Sequence, residues 1–362
     1  MNSPNPYQNI FLSRIKEMIK THPPVYFGLV MSTGIISIAA HLLGNFILGE
    51  VLFWLNLVAY LFLWVLNLIR LFFYTYYFLD DIHSHQRGPG FFTAIAGTCI
   101  LGSQFIIIRE DYITATFLWV IGVILWVVIT YIIFTTLTIK EKKPPLSEGI
   151  TGAWLLAVVS TQSIAVLTTL IASHWDQPYK LEANFFALSM WLWGGMLYIW
   201  MISLIFYRYT FFKFSPGDLA PPYWINMGAM AISALAGSLL IINVDHAPFL
   251  LSLLPFLKGF TVFYWATGTW WIPMLVILAV WRHAYKKFPL TYDPQYWGAV
   301  FPLGMYTVAT LRMAHALSLD FLLPLPHYFI YVALCAWAIT FAGMLRSLIL
   351  LFITHEKKVE AD

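Results

Sequence analysis

Ten stretches of this 362-residue chain run with almost no charge inside them, each long enough to cross a bilayer as a helix. They fall at about 25–44, 50–78, 91–109, 112–139, 150–173, 183–211, 222–243, 249–281, 295–318 and 322–354. Little chain is left between them, so the fold class is all-α integral membrane. Composition agrees: 60% of residues are hydrophobic and 10% charged, where soluble domains carry roughly a quarter charged. The 29 Phe, 16 Trp and 20 Tyr fit a large lipid-facing perimeter with aromatic belts. Cys99 and Cys335 both lie inside apolar segments, so neither a disulfide framework nor a metal site is expected.

The segments alternate. Odd-numbered ones are short and rich in Gly, Ser, Thr and Pro; even-numbered ones are longer and built of Leu, Ile, Val, Phe and Trp. That predicts two layers, small-residue helices packed inside and greasy, tilted helices outside against lipid. Lys and Arg gather on one side of an even-span arrangement, at Arg14, Lys16, Lys20, Arg87, Lys140, Lys142, Lys143, Arg208, Lys213, Arg282, Lys286, Lys287, Lys357 and Lys358. The opposite loops hold only Arg109 and Lys180. The positive-inside rule therefore predicts both termini in the cytoplasm. Three units are expected: an amphipathic helix on the membrane surface over 1–22, a pore domain over 23–355 and a short tail over 356–362.

A weak repeat runs through the odd segments. Each opens on an aromatic followed by a small-residue cluster: Phe27 before Ser32-Thr33-Gly34, Phe92 before Gly97-Thr98, Trp154 before Ser160-Thr161-Gln162, Trp224 before Gly228-Ala229, and Trp297 before Phe301-Pro302-Leu303-Gly304. Five hairpins, each a short inner and a long outer helix, predict a pseudo-fivefold ring around a central pore.

The ninth segment, WGAVFPLGMYTVATLRMAHA over 297–316, is the most unusual. A helix that only sits in lipid gains nothing from Pro302, which removes a backbone hydrogen bond, or from Arg312. A helix facing a protein-lined cavity tolerates both. Phe301, directly before the proline, is read as a plug. No Asp or Glu lies near the centre of any apolar segment; cation-coupled carriers usually keep one there, and a buried carboxylate repels anions. The path is then expected to be lined by Thr33, Gly34, Gly97, Thr98, Thr161, Gln162, Gly228 and Gly304, with Ser163 and Thr310 as further polar positions. Arg312, His315 and His41 are expected at the outer mouth, attracting anions. An enzyme would need titratable side chains converging at one depth, whereas His83, His85, His174, His246, His283, His327 and His355 scatter over loops.

Five stretches in order, PVYFGLVMSTGIIS (24–37), WLLAVVSTQSIAV (154–166), PPYWINMGAMAIS (221–233), FYWATGTWWIPML (263–275) and YWGAVFPLGMYTVAT (296–310), resemble the tellurite-resistance/dicarboxylate transporter family. That family includes bacterial tellurite-resistance membrane proteins, yeast malate and sulfite transporters and plant guard-cell slow anion channels. The resemblance implies a ten-helix pore of five hairpins, a homotrimer with one pore per subunit, and occlusion by the phenylalanine matching Phe301. It implies passage of small anions such as chloride, nitrate or sulfite. The alternatives are a C4-dicarboxylate carrier coupled to protons through histidine, or tellurite-resistance efflux. Partners are then anions and the bilayer of the plasma membrane, with no nucleic acid, cofactor or metal.

Overall fold

The computed structural model describes residues 6–353; the expected tail over 356–362, with His355, lies outside the described residues. Among the described residues the elements are helices and turns, with no strand. The N-terminal helix Pro6–Thr21 leads into five hairpins. The inner helices are Gly28–Leu42, Phe92–Arg109, Leu156–Ala172, Ile225–Ile242 and Trp297–Leu317. Their outer partners are Phe46–Phe73, Tyr112–Ile139, Tyr179–Phe211, Leu254–Val280 and Pro324–Ile353.

Each inner helix is entered through a 3-10 turn: Pro24–Phe27, Gly88–Phe91, Gly152–Leu155, Pro221–Trp224 and Pro294–Tyr296. Proline sets the entry in four of these, because its fixed φ suits a first helical position where a missing N–H matters least. In the other, the Thr151 side chain caps Ala153 N–H at 3.3 Å. The outer helices begin at their own signals: Asn45 accepts from Leu48 N–H and Asp111 from Thr114 N–H, at 3.3 and 3.0 Å.

Nine of the helices are long and apolar enough to cross a membrane, among the described residues. The short ones counted are 78–94% buried and the long ones 22–50% buried, which separates an inner from an outer layer. The expected ninth segment is not among the nine. Trp297–Leu317 is a continuous helix, but Pro302, three polar threonine and tyrosine side chains, Arg312 and His315 lower its hydropathy. It does not need lipid solubility, because protein covers nearly all of it. The second segment also differs: its helix ends at Phe73, and Thr75–Ile82 forms a separate short helix.

Inner helices touch in cyclic order, first with second through to fifth with first. Each outer helix packs on its own inner partner and on the next inner helix. A polar contact repeats at that second junction. Tyr60 Oη meets Thr98 Oγ1 at 3.1 Å, Trp126 Nε1 donates to Thr161 at 2.9 Å, and Trp191 Nε1 to Ser233 O at 2.8 Å. Trp265 Nε1 donates to Thr310 at 2.9 Å and Trp337 Nε1 to Thr33 at 3.0 Å. An indole N–H at bilayer depth has no water to bond, so an inner hydroxyl or carbonyl serves it.

The N-terminal helix is held by charge. Buried Arg70 pairs with Asp81 and donates to Lys20 O at 3.0 Å, while Arg87 reaches Asp81 at 2.7 Å and Thr21 O at 3.2 Å. Burial pushes the Asp81 carboxyl up, against the pull of both guanidiniums. Removing one partner of a buried pair strands the other charge. Asp81→Asn is therefore expected to lower stability by about 3 kcal/mol, read as a fall in the unfolding midpoint in detergent. The double change Asp81→Asn, Arg70→Met should recover part of that loss.

Candidate functional site

Two cavities draw on all five inner-helix units. A vestibule gathers the entry turns: Pro23, Pro24 and Val25, then Gln86, Arg87 and Gly90, then Ala153, Pro222, and finally Asp293, Pro294 and Gln295. A second, central cavity, much smaller and with room for about one water, lies among the later turns. It is lined by Ile35 and Ile38, Cys99, Ile100, Ser103 and Ile107, Ser163, Val166 and Leu170, Ile232, Leu235 and Leu239, and Met305, Val308 and Arg312.

Along the fifth inner helix and its entry turn, Phe301 falls between Gln295, which lines the vestibule, and Met305, which lines the central cavity. On the fifth inner helix Met305, Val308 and Arg312 face the central cavity. Phe301 is one turn before Met305 and falls on the same stripe at 3.6 residues per turn. It is 1% exposed. The same step back from the lining residues of the other inner helices reaches Met31, Ala96, Val159 and Gly228, all buried. Phe301 is the one aromatic ring among these five positions.

Pro302 is turned sideways. A Cβ on Gly228 would meet the Pro302 ring at 2.7 Å, so glycine there lets the fourth and fifth inner helices close on each other. Gly304 does the same against Ile35 at 2.8 Å, on the first inner helix. Gly97 sits against Val30, and Gly34 against Ile100 and Asn56. Gly34, Gly97, Gly228 and Gly304, expected along the path, are thus placed at helix junctions.

The expected hydroxyl lining is placed elsewhere too. Thr33, Thr98, Thr161 and Thr310 accept bonds from the outer helices, and Gln162 donates to Trp191 O at 3.0 Å. None of the five lines either cavity. The physical reason is the demand of the outer-layer indoles and the tyrosine for partners. Of the polar positions anticipated, Ser163 lines the central cavity, with its hydroxyl donating to Val159 O at 2.8 Å.

At the C-terminal ends of the inner helices, Arg312 is half-buried, lines the central cavity and makes no ion pair among the described residues. His315 is exposed one turn further on. His41 instead packs edge-on against Phe46, ring centroids 5.0 Å apart, away from the cavity. Arg87 was not anticipated as a site residue. It lines the vestibule, where its charge is shared with Asp81 and where Asp293 caps Gln295 N–H at 2.7 Å. Its signal in the sequence was one cation two residues before Pro89, at the entry to the second inner helix.

Near the vestibule, His22 is stacked on Tyr26 with centroids 4.7 Å apart. Burial, then Arg70 and Arg87, lower its pKa to about 4, so it is neutral at physiological pH. No three His, Cys, Asp or Glu side chains gather as metal ligands among the described residues.

Chemically, the two cavities offer Arg87 and the Asp293 carboxylate at the vestibule and Arg312 in the central cavity, and no histidine lines either. Comparison with known proteins is consistent with that reading. Residues 21–345 match the model of the family described as voltage-dependent anion channel. An uncharacterized transporter of Methanocaldococcus jannaschii is 29% identical over 315 residues, 81% of this chain and 84% of that protein. A second from the same organism is 25% identical over 313 residues, 82% and 86%. An uncharacterized membrane protein of Mycobacterium tuberculosis is 40% identical over 152 residues, 42% of this chain and 77% of its own length. The chain is a multi-pass membrane protein of the voltage-dependent anion channel family, a family of anion transporters and channels rather than enzymes.

Proposed function

We propose that ten spans form a pseudo-fivefold ring whose inner helices enclose a passage for small anions such as chloride, nitrate or sulfite, closed at Phe301. The observation that supports this is the pair of cavities, each walled by all five inner-helix units, with buried Phe301 on the fifth inner helix between Gln295 of one lining and Met305 of the other. Selectivity would come from the ends of the path. The N-termini of five helices converge on the vestibule, bringing their positive dipole ends, and Arg87 adds a charge that it shares with Asp81. Arg312 supplies the cation on the far side. Between these points the wall is apolar, so an anion is held weakly and can leave.

By the positive-inside rule the vestibule opens to the cytoplasm, with both chain ends on that face. Assembly as a homotrimer in the plasma membrane belongs to the same proposal. A proton-coupled dicarboxylate carrier would need a titrating group along the path. No histidine lines either cavity, so we favour passive passage.

The test is anion flux in proteoliposomes under chloride, nitrate, sulfite and malate gradients, with and without a proton gradient. Inorganic anions are expected to move down their gradients unaffected by the proton gradient. Movement of malate alone, and only with a proton gradient, would overturn the proposal.

A further inference from the structure

Beside the fourth hairpin, apart from the central cavity, is a third, small cavity. It is walled by the entry turn of the fourth inner helix (Leu219, Pro221, Tyr223), the end of the fourth outer helix (Arg282, His283) and Tyr296 at the entry of the fifth. Arg282 lies in a π-helical turn, Trp281–Tyr285, that ends the outer helix. Such turns are rare and frequently found at functional sites.

Arg282 is only 9% exposed, yet it makes no ion pair with a carboxylate among the described residues. One guanidinium nitrogen donates to Leu219 O, and the group lies over the Phe288 ring at 4.4 Å. Its Nε is buried without a partner. The contrast with its counterparts is informative. Arg70 is neutralised by Asp81, and Arg208 by Asp218 at 3.2 Å. A buried cation left with one carbonyl and one ring is under-compensated, and an arginine fork is suited to a tetrahedral oxyanion. Exposed Lys286 and Lys287 follow directly in the chain and add positive field at the rim.

We infer that this cavity is a binding site for a phosphate-type oxyanion, held by Arg282 with the Tyr296 hydroxyl as a neighbouring donor; the Nδ1–H of His283 is already given to Phe288 O at 3.0 Å. The same chemistry is offered by free phosphate and by an anionic phospholipid headgroup. Because the site joins the entry turns of the fourth and fifth inner helices, an occupant would brace the helix that carries Phe301. That last consequence rests on the proposed gate; the binding site does not.

Binding is tested by the unfolding midpoint of the full chain, first in neutral detergent with inorganic phosphate against chloride at matched ionic strength. The second arm uses nanodiscs of phosphatidylcholine with or without phosphatidylglycerol. Wild type is expected to gain about 2 °C or more in at least one arm. Arg282→Gln should lose that gain, whereas Arg312→Gln should keep it. Ala279→Leu, which fills the cavity without touching the arginine, should also lose it, and guards against misfolding of the Arg282 variant. A gain with phosphate identifies a free oxyanion; a gain confined to phosphatidylglycerol identifies the headgroup. No gain in either arm, or a gain equal in wild type, Arg282→Gln and Ala279→Leu, overturns the site. Anion flux is measured separately, so loss of the gate reading leaves the binding result standing.

Discussion

Phe301→Ala is expected to raise passive anion flux per folded molecule by at least tenfold, an order-of-magnitude figure that needs only about 1.4 kcal/mol off the barrier. The reasoning is steric. The ring is 1% exposed, on the fifth inner helix between vestibule-lining Gln295 of its entry turn and cavity-lining Met305. On the proposed reading, removing it joins the cavities. On that reading an anion passes the intact protein only when the ring leaves its packed position, and unpacking a buried phenyl forfeits several kcal/mol of contact. The same truncation creates a cavity and should destabilise the fold by about 3–5 kcal/mol, so yield and flux move in opposite directions. Val300→Ala supplies the control. Val300 is equally buried but about 100° away around the helix. It should lower stability and leave flux per folded molecule unchanged.

Reversing the charge at the far end should have the second-largest effect. Arg312→Glu is expected to reduce flux of small anions by roughly ten- to a hundredfold, or about 1.4–2.8 kcal/mol. Arg312 is the one charged residue lining the central cavity and has no carboxylate partner among the described residues, so its charge is available to an entering ion. At an effective dielectric of ~20 a contact pair is worth up to about 4 kcal/mol, and the variant replaces that attraction with repulsion. Arg312→Lys should retain most of the flux, whereas His315→Gln, at an exposed position, should change it little. The effect is read as initial chloride and nitrate efflux, and it should shrink less with added salt than an exposed charge would.

Much of this was legible in the residues. Segment order, the division into short inner and long outer helices, and the N-terminal helix all follow from where apolar runs start and stop. Less legible was which face of each inner helix looks inward. Polarity pointed to Thr33, Thr98, Thr161 and Gln162, but those side chains satisfy partners on the outer helices. Hydropathy alone does not reveal that demand, because tryptophan is apolar in bulk and a donor at one atom. Likewise Gly34, Gly97 and Gly304 look like a smooth wall in sequence, yet neighbouring backbones need them in order to approach. The stripe of Phe301, Met305, Val308 and Arg312, spaced by four, three and four, was readable by helical period. It marks the inward face better than polarity did.

The account's central claim is that the passage runs past Phe301 into the central cavity, and a cysteine introduced at Val308 allows that to be measured chemically. Val308 lines the central cavity and is 2% exposed; the native cysteines, Cys99 and Cys335, are changed to serine, because the Cys99 sulfur lies toward Gly122 on the second outer helix and Cys335 is on the fifth. A small anionic methanethiosulfonate reagent is added from the vestibule side to Val308→Cys proteins of that background in vesicles, and both labelling and anion flux are followed. With Phe301 intact, the introduced cysteine should stay unlabelled and flux unchanged. With Phe301→Ala it should label rapidly and flux should fall as it does, and restoring Val308 should abolish both. Raised flux in Phe301→Ala with the introduced cysteine still unlabelled would place the passage elsewhere and contradict the account.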